Sequence, residues 1–505
     1  MNISLVYPQW TEEYGQIAHF AKKAGKWPPL NLAYLAAIAE AAGHRVRITD
    51  AEAEALPMET TVDRVLAEKP DLVGVTATTP FYHIACDLAA QIRKRSAAPI
   101  AIGGPHVTVL REAAFPREMD FAFIGEADRT WPAFLERFAD GRDPGDVPGL
   151  LYRQDGKVRY TGPALPVEDL NALPVPARHL LKADRYFLGT LEGAKRFTSI
   201  MTVRGCPYRC IFCSTKVFGR DTRRRDPPLV LDEIRDCVER FGIEHFMFMD
   251  DTLTLHREHI RAICRLLIEA RLNITFEGST RANLVDEETV RLMRKAGLIR
   301  LSFGLESVDP GIRKTMRKQV PLESYIQANR LTRKHGIETL NSCMIGLPGE
   351  TRETIRATLR FLRESREIEQ ANISIAVPYP GTELYEMARR GEMGLRLETE
   401  DFSQYRRYNA AVMTVGDLSP ADLVEIQNEA FASIYLAPWR WRPMIAKSGA
   451  MGAVLTARRL ARALKEGRSD FLTDRQLGIS AAAPSLPPSA PDAEPGDPDS
   501  SELVH

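Results

Sequence analysis

Apolar residues recur in two rhythms along this chain. From residue 1 to about 140, short apolar runs at 3–7, 46–49, 72–76, 100–102 and 121–124 have the length of buried strands. Between them apolar positions return every three or four residues, as in Leu32, Leu35, Ile38, Ala39 and Ala42 ahead of Gly43, which puts one stripe on a helix and ends it. This alternation predicts an α/β domain over 1–140, a five-stranded parallel sheet with crossover helices. A second series predicts strands at 198–204, 244–249, 273–278, 299–305, 338–345 and 371–377 with helices between them, which makes a partial, six-unit TIM-type barrel over 196–390. Residues 141–195 show no such alternation and carry Gly149, Gly156, Gly162, Pro163, Pro166, Pro174 and Pro176, a linker or bridging composition. Residues 391–477 read as helical, with Arg458, Arg459, Arg462, Lys465 and Arg468 on a solvated face. The Ala/Pro/Ser/Asp tail at 478–505 has no periodicity and is predicted to be disordered.

The chain has 505 residues, with 67 Lys+Arg balanced by 67 Asp+Glu, so no global field recommends nucleic acid or an anionic membrane as a partner. No stretch is apolar for long enough to span a bilayer, and residues 1–8 enter a strand without a basic, apolar leader, so a cytoplasmic protein acting on a small molecule is expected. Four of the seven cysteines, Cys86, Cys237, Cys264 and Cys343, sit in apolar or helical contexts as core thiols. The other three crowd into Arg204-Gly205-Cys206-Pro207-Tyr208-Arg209-Cys210-Ile211-Phe212-Cys213, just after the first barrel strand.

Thiolates this close bind soft metals. A closed zinc site wants four ligands, and no fourth cysteine or paired histidine lies nearby. Three cysteines on a cubane leave one iron open to a chelating substrate. Cys206-x-x-x-Cys210-x-x-Cys213, with Phe212 before the last cysteine, resembles the signature of the radical S-adenosylmethionine superfamily. The resemblance implies a [4Fe–4S] cluster on Cys206, Cys210 and Cys213, with S-adenosylmethionine on the open iron. It further implies a low-potential electron donor of flavodoxin or ferredoxin type, and cleavage of the sulfonium to methionine and a 5′-deoxyadenosyl radical. It also assigns cosubstrate roles to later strand ends. Asp250 and Asp251 would lie near the methionyl ammonium, Arg281 near the carboxylate or ribose, Glu306 at ribose or amino group, and Gly346, in Gly346-Leu347-Pro348-Gly349-Glu350, at the adenine.

In the N-terminal domain, Thr76-Ala77-Thr78-Thr79-Pro80 and Gly103-Gly104-Pro105-His106 follow strand ends, where open α/β sheets bind ligands and glycines admit a large flat cofactor. A flavodoxin-like (Rossmann-like) domain ahead of such a barrel resembles the cobalamin-binding class of the superfamily, which implies cobalamin at Thr78, Gly103 and Gly104. The Asp-x-His-x-x-Gly of cobalamin mutases has its counterpart in Asp50-Ala51-Glu52, with Glu52 in the histidine's place, which speaks against adenosylcobalamin mutase chemistry. The class implies methylation of an unactivated carbon. The alternatives are an anaerobic oxidative cyclase of the magnesium-protoporphyrin monomethyl ester type, whose N-terminal segment Gly25-Lys26-Trp27-Pro28-Pro29 resembles, and a non-catalytic cobalamin and iron–sulfur sensor. A methylthiotransferase would need N-terminal cluster cysteines, and only Cys86 precedes Cys206.

Overall fold

The computed structural model describes residues 1–13, 25–189, 191, 195–214, 217–435 and 437–440. Its first sheet holds five parallel strands, β1 (Asn2–Tyr7), β2 (Arg45–Asp50), β3 (Leu72–Thr76), β4 (Ile100–Gly103) and β5 (Phe121–Phe123), in the order β2-β1-β3-β4-β5. Strand order reverses between β1 and β3, so a crevice opens at their C-terminal ends, beside Tyr7 and Thr76. Both faces are covered. Ile3, Leu5, Phe123 and Trp131 pack against the helix Leu30–Ala41 on one side, and Val73, Val75, Ile100 and Ile102 against Tyr82–Arg93 on the other.

Residues 141–195 are not merely a linker. β6 (Leu150–Gln154) and β7 (Lys157–Tyr160) form a hairpin that pairs antiparallel with β5 and extends the sheet to seven strands. Its turn is Asp155-Gly156, with φ of 51° and 73°, the positive pair that a two-residue hairpin loop requires.

The second sheet is parallel throughout: β8 (Phe197–Ile200), β9 (His245–Phe248), β10 (Thr275–Thr280), β11 (Leu298–Glu306), β12 (Glu338–Ile345) and β13 (Gln370–Ile375), in chain order. Its aromatic core includes Phe246, Phe248, Phe276 and Phe303. This is the expected six-unit partial barrel, with one difference. The strand predicted at 198–204 breaks after Ile200, because Thr202 and Val203 give their N–H groups to Asp250 Oδ1 (2.6 and 2.9 Å) instead of to a neighbouring strand. Val203–Arg204 then pairs antiparallel with Arg223–Arg224.

The region after the barrel is not wholly helical. Leu395–Leu397 pairs with Met413–Val415 before the helix Pro420–Tyr435. Tyr405 is fully buried against Phe402 and Tyr379, as part of a small core cluster. The basic run near 460 and the tail predicted at 478–505 lie outside the described residues. Among the described residues no helix is long and apolar enough to cross a membrane.

Candidate functional site

The cysteine loop crosses the C-terminal mouth of the barrel and is held by its backbone. Cys206 N–H donates to the Gly219 carbonyl (3.3 Å), Ile211 N–H to Met316, and Leu384 N–H to Ile211. Cys206 is buried, Cys210 half-buried and Cys213 exposed. Among the described residues no three His, Cys, Asp or Glu side chains converge on a single-ion point. A cubane takes one ligand at each of its irons, so three thiols on one loop suit it and leave the fourth iron open.

The strand ends divide their work. Asp250 is spent on the loop: it accepts from Thr202 N, Thr202 Oγ1 and Val203 N at 2.6–2.9 Å, and burial raises its carboxyl to about 6. Asp251 is the member of the pair that faces the cavity. Arg281 stacks on Tyr208 (3.7 Å to the ring centre), lies 3.7 Å from Cys210 Sγ and donates to the Lys318 carbonyl, so its fork braces the cysteine loop. Glu306 sits at a register shift with φ of 64° and binds Lys318 Nζ (2.6 Å). Lys318, a buried cation beside Phe212, is a site residue that the strand-end pattern does not single out, since it lies twelve residues past Glu306.

Gly346 gives its N–H to Glu350 Oε2 (2.7 Å), as does Leu347 (3.0 Å), which leaves neither amide free for a base. Glu350 is buried, its Oε1 has no partner, and desolvation raises its carboxyl from 4.5 to about 8. The unfolded chain ionises this group above pH 4.5 and the folded one only near pH 8. Its stabilising contribution is therefore full below pH 4.5 and fades as pH climbs to 8, by on the order of a few kcal/mol. Glu350→Gln, which keeps an acceptor for both amides, is expected to be more stable than wild type at pH 8 and equal to it near pH 4, read as the difference in urea midpoints.

Between the two sheets lies a cavity of about 670 Å³. One wall is made of Thr76, Ala77, Thr78, Gly103, Gly104 and Gly125 from the first unit, and the other of Ser199, Met201, Ser214, Met249 and Asp251 from the barrel. It also runs into the first unit between Leu5, Ala101 and Phe123 below and Leu32 and Leu35 above. Thr78, Gly103 and Gly104 are thus brought together, and the apolar depth and bare glycine floor fit a large flat ring with an appended tail. Glu52 is not in the lining: its carboxylate accepts from Trp10 N, Thr11 N and Thr11 Oγ1. His106 is not on a loop: it lies in the short helix Pro105–Leu110, buried between Tyr82 and Phe402 and outside the lining, and no histidine is among the described lining residues.

The model of the radical SAM superfamily matches residues 200–362 and that of the B12 binding domain residues 18–135. The chain is 32% identical over 418 residues to an uncharacterized methyltransferase, PH0819, of Pyrococcus horikoshii, covering 81% of this chain and 88% of that one. It is also 32% identical to the anaerobic magnesium-protoporphyrin IX monomethyl ester cyclase of Rubrivivax gelatinosus, over 80% of this chain and 72% of the relative. The fold matches that of the radical S-adenosylmethionine methyltransferase TsrM from Kitasatospora setae, with cobalamin and a [4Fe–4S] cluster bound, at a TM-score of 0.68 and 19% identity, over 86% of this chain and 88% of that one. Together with the double-sheet architecture and the three-cysteine loop, these relationships make the chain an enzyme of the cobalamin-binding branch of the radical S-adenosylmethionine superfamily, with a [4Fe–4S] cluster, S-adenosylmethionine and cobalamin as its cofactors.

Proposed function

We propose that the enzyme methylates an unactivated carbon of a small-molecule biosynthetic intermediate in the cytoplasm, drawing electrons from a low-potential flavodoxin- or ferredoxin-type donor. The reading rests on one observation: the strand ends of the first unit and the cysteine-loop side of the barrel open on the same cavity, so a substrate between them reaches both. When bound, the cluster and S-adenosylmethionine supply hydrogen abstraction and cobalamin supplies the methyl group. Cys206, Cys210 and Cys213 hold the cluster. Asp251 receives the methionyl ammonium, and Lys318, steadied by Glu306, is the cation left for the carboxylate once Arg281 is committed to the loop. Thr78, Gly103 and Gly104 seat the flat cofactor, and the apolar walls keep water from the abstracting centre.

The test is anaerobic turnover, with and without cobalamin, in a metabolite extract of the source cells, using S-adenosylmethionine labelled in its methyl group. A labelled small molecule should appear only with cobalamin, together with both S-adenosylhomocysteine and 5′-deoxyadenosine. The similarity to the Rubrivivax cyclase favours ring closure as a second reading. That reading predicts 5′-deoxyadenosine with no labelled product.

A further inference from the structure

Arg204 lies where the two units meet, two residues before Cys206, and is only 5% exposed. Its guanidinium sits between the rings of Tyr34 and Phe218, 5.3 and 5.1 Å away. Both of its ionic partners come from the N-terminal unit. Nη1 donates to Glu126 Oε1 and to Asp128 Oδ2 (2.8 Å), and Nη2 to Asp128 Oδ1 (3.2 Å). Arg223 adds a second guanidinium on Glu126 Oε2 (2.7 Å). Two cations and two carboxylates close the charge, so removal of any one leaves a buried charge without its partner.

This knot is joined at both ends to a cofactor site. On the barrel side, Gly205 has φ of 91°, and the place of its missing Cβ is filled by the Asp221 carbonyl oxygen, so the link between Arg204 and Cys206 packs directly against the 221 backbone and admits no side chain. On the N-terminal side, Gly125 N–H donates to Thr108 Oγ1 (3.0 Å), and that hydroxyl donates to the Gly104 carbonyl (2.8 Å). Gly104, Gly125, Glu126, Asp128 and Arg204 all line the cavity, so a ligand that fills it touches the chain of contacts along its length.

We propose that Arg204 is a positioning residue that couples the two cofactor sites. Cobalamin seated against Gly104 and Gly125 sets Glu126 and Asp128, these set Arg204, and Arg204 sets the entry to the cysteine loop, so cobalamin and S-adenosylmethionine bind cooperatively. The coupling rests on the cofactors and not on the reaction, and its measurement contains no substrate, so it stands or falls apart from methylation.

The experiment uses full-length protein with its cluster reconstituted anaerobically. The affinity for S-adenosylmethionine is read by equilibrium dialysis on the oxidised cluster, with and without hydroxocobalamin, so that both titrations share one redox state and no cosubstrate is cleaved. The affinity for hydroxocobalamin is read from its visible absorbance, with and without S-adenosylmethionine. In the wild type each ligand should tighten the other by the same factor, at least about fivefold, as linkage demands. In Arg204→Lys, which keeps the charge and loses the fork, and in Glu126→Gln, iron content should persist and both factors should fall to about one, whatever the affinity for either ligand alone. A purely structural role would lower stability and leave the factors unchanged. Wild-type factors of one, or variants that retain the wild-type factors, overturn the proposal. If Arg204→Lys fails to fold, Glu126→Gln, which leaves Arg204 its bidentate Asp128, carries the test.

Discussion

Cys210→Ala protein, reconstituted anaerobically, should lack the visible absorbance of a cubane and release no 5′-deoxyadenosine above background, a loss of roughly a thousandfold or more. The expectation is sharp because the loop does not depend on the metal for its path. Its backbone is tied to Gly219 on one side and to Met316 and Leu384 across the barrel mouth, so the variant keeps the loop and loses only a ligand. Circular dichroism, and the urea midpoint compared with cluster-free wild type, should therefore barely move. Cys264→Ala provides the contrast: that thiol is fully buried in the barrel core, and its removal should cost stability by about 1 kcal/mol with the cluster intact. A reduced Cys210→Ala enzyme that still cleaves S-adenosylmethionine would remove the foundation of the proposed chemistry.

What could be read from the residues was whatever local patterning encodes. Each barrel strand is a short apolar run between amphipathic helices, and the observed bounds of five of the six lie within three residues of those expected. The sixth ends early because of a carboxylate nearly fifty residues away, since the Asp250 bonds to Thr202 and Val203 exist only once β8 and β9 lie side by side. The same contact separates Asp250 from Asp251, two residues that the sequence presents as a pair. The β6–β7 hairpin does not stand out in 141–195, where the Asp155-Gly156 turn signal is one among many glycines and prolines. Arg204 and Lys318 were not legible as site residues, since each owes its role to a partner brought in by the fold, Glu126 from another unit and Glu306 from the preceding strand end. Glu52 shows the converse. The missing histidine was visible in the sequence, yet only the structure shows this position turned away from the cavity and toward Trp10 and Thr11.

Gly103 and Gly104 are adjacent and both line the cavity, yet their alanine variants should fail differently. Gly104 has φ of 119°, outside the range that L residues adopt readily, and a Cβ built there strikes the carbonyl oxygen of Ala77. That oxygen belongs to backbone that the Ala77 N–H to Gly103 carbonyl bond (3.2 Å) keeps in place, so relief must come from moving the strand end itself. Strained backbone costs about 1–2 kcal/mol and the overpacking about 1–3 kcal/mol more, so Gly104→Ala should lose roughly 2–5 kcal/mol of stability together with nearly all cobalamin binding. At Gly103 a Cβ meets nothing nearer than Phe123 Cβ at 3.9 Å, and the backbone lies in ordinary strand geometry. Gly103→Ala should therefore unfold at nearly the wild-type urea concentration and still bind hydroxocobalamin more weakly, by about tenfold, because the new methyl would occupy the seat proposed for the ring. Urea midpoints and absorbance titrations on the two variants separate strand-end geometry from cofactor contact. Wild-type affinity in both would place the cobalamin ring elsewhere than on this pair of strand-end glycines.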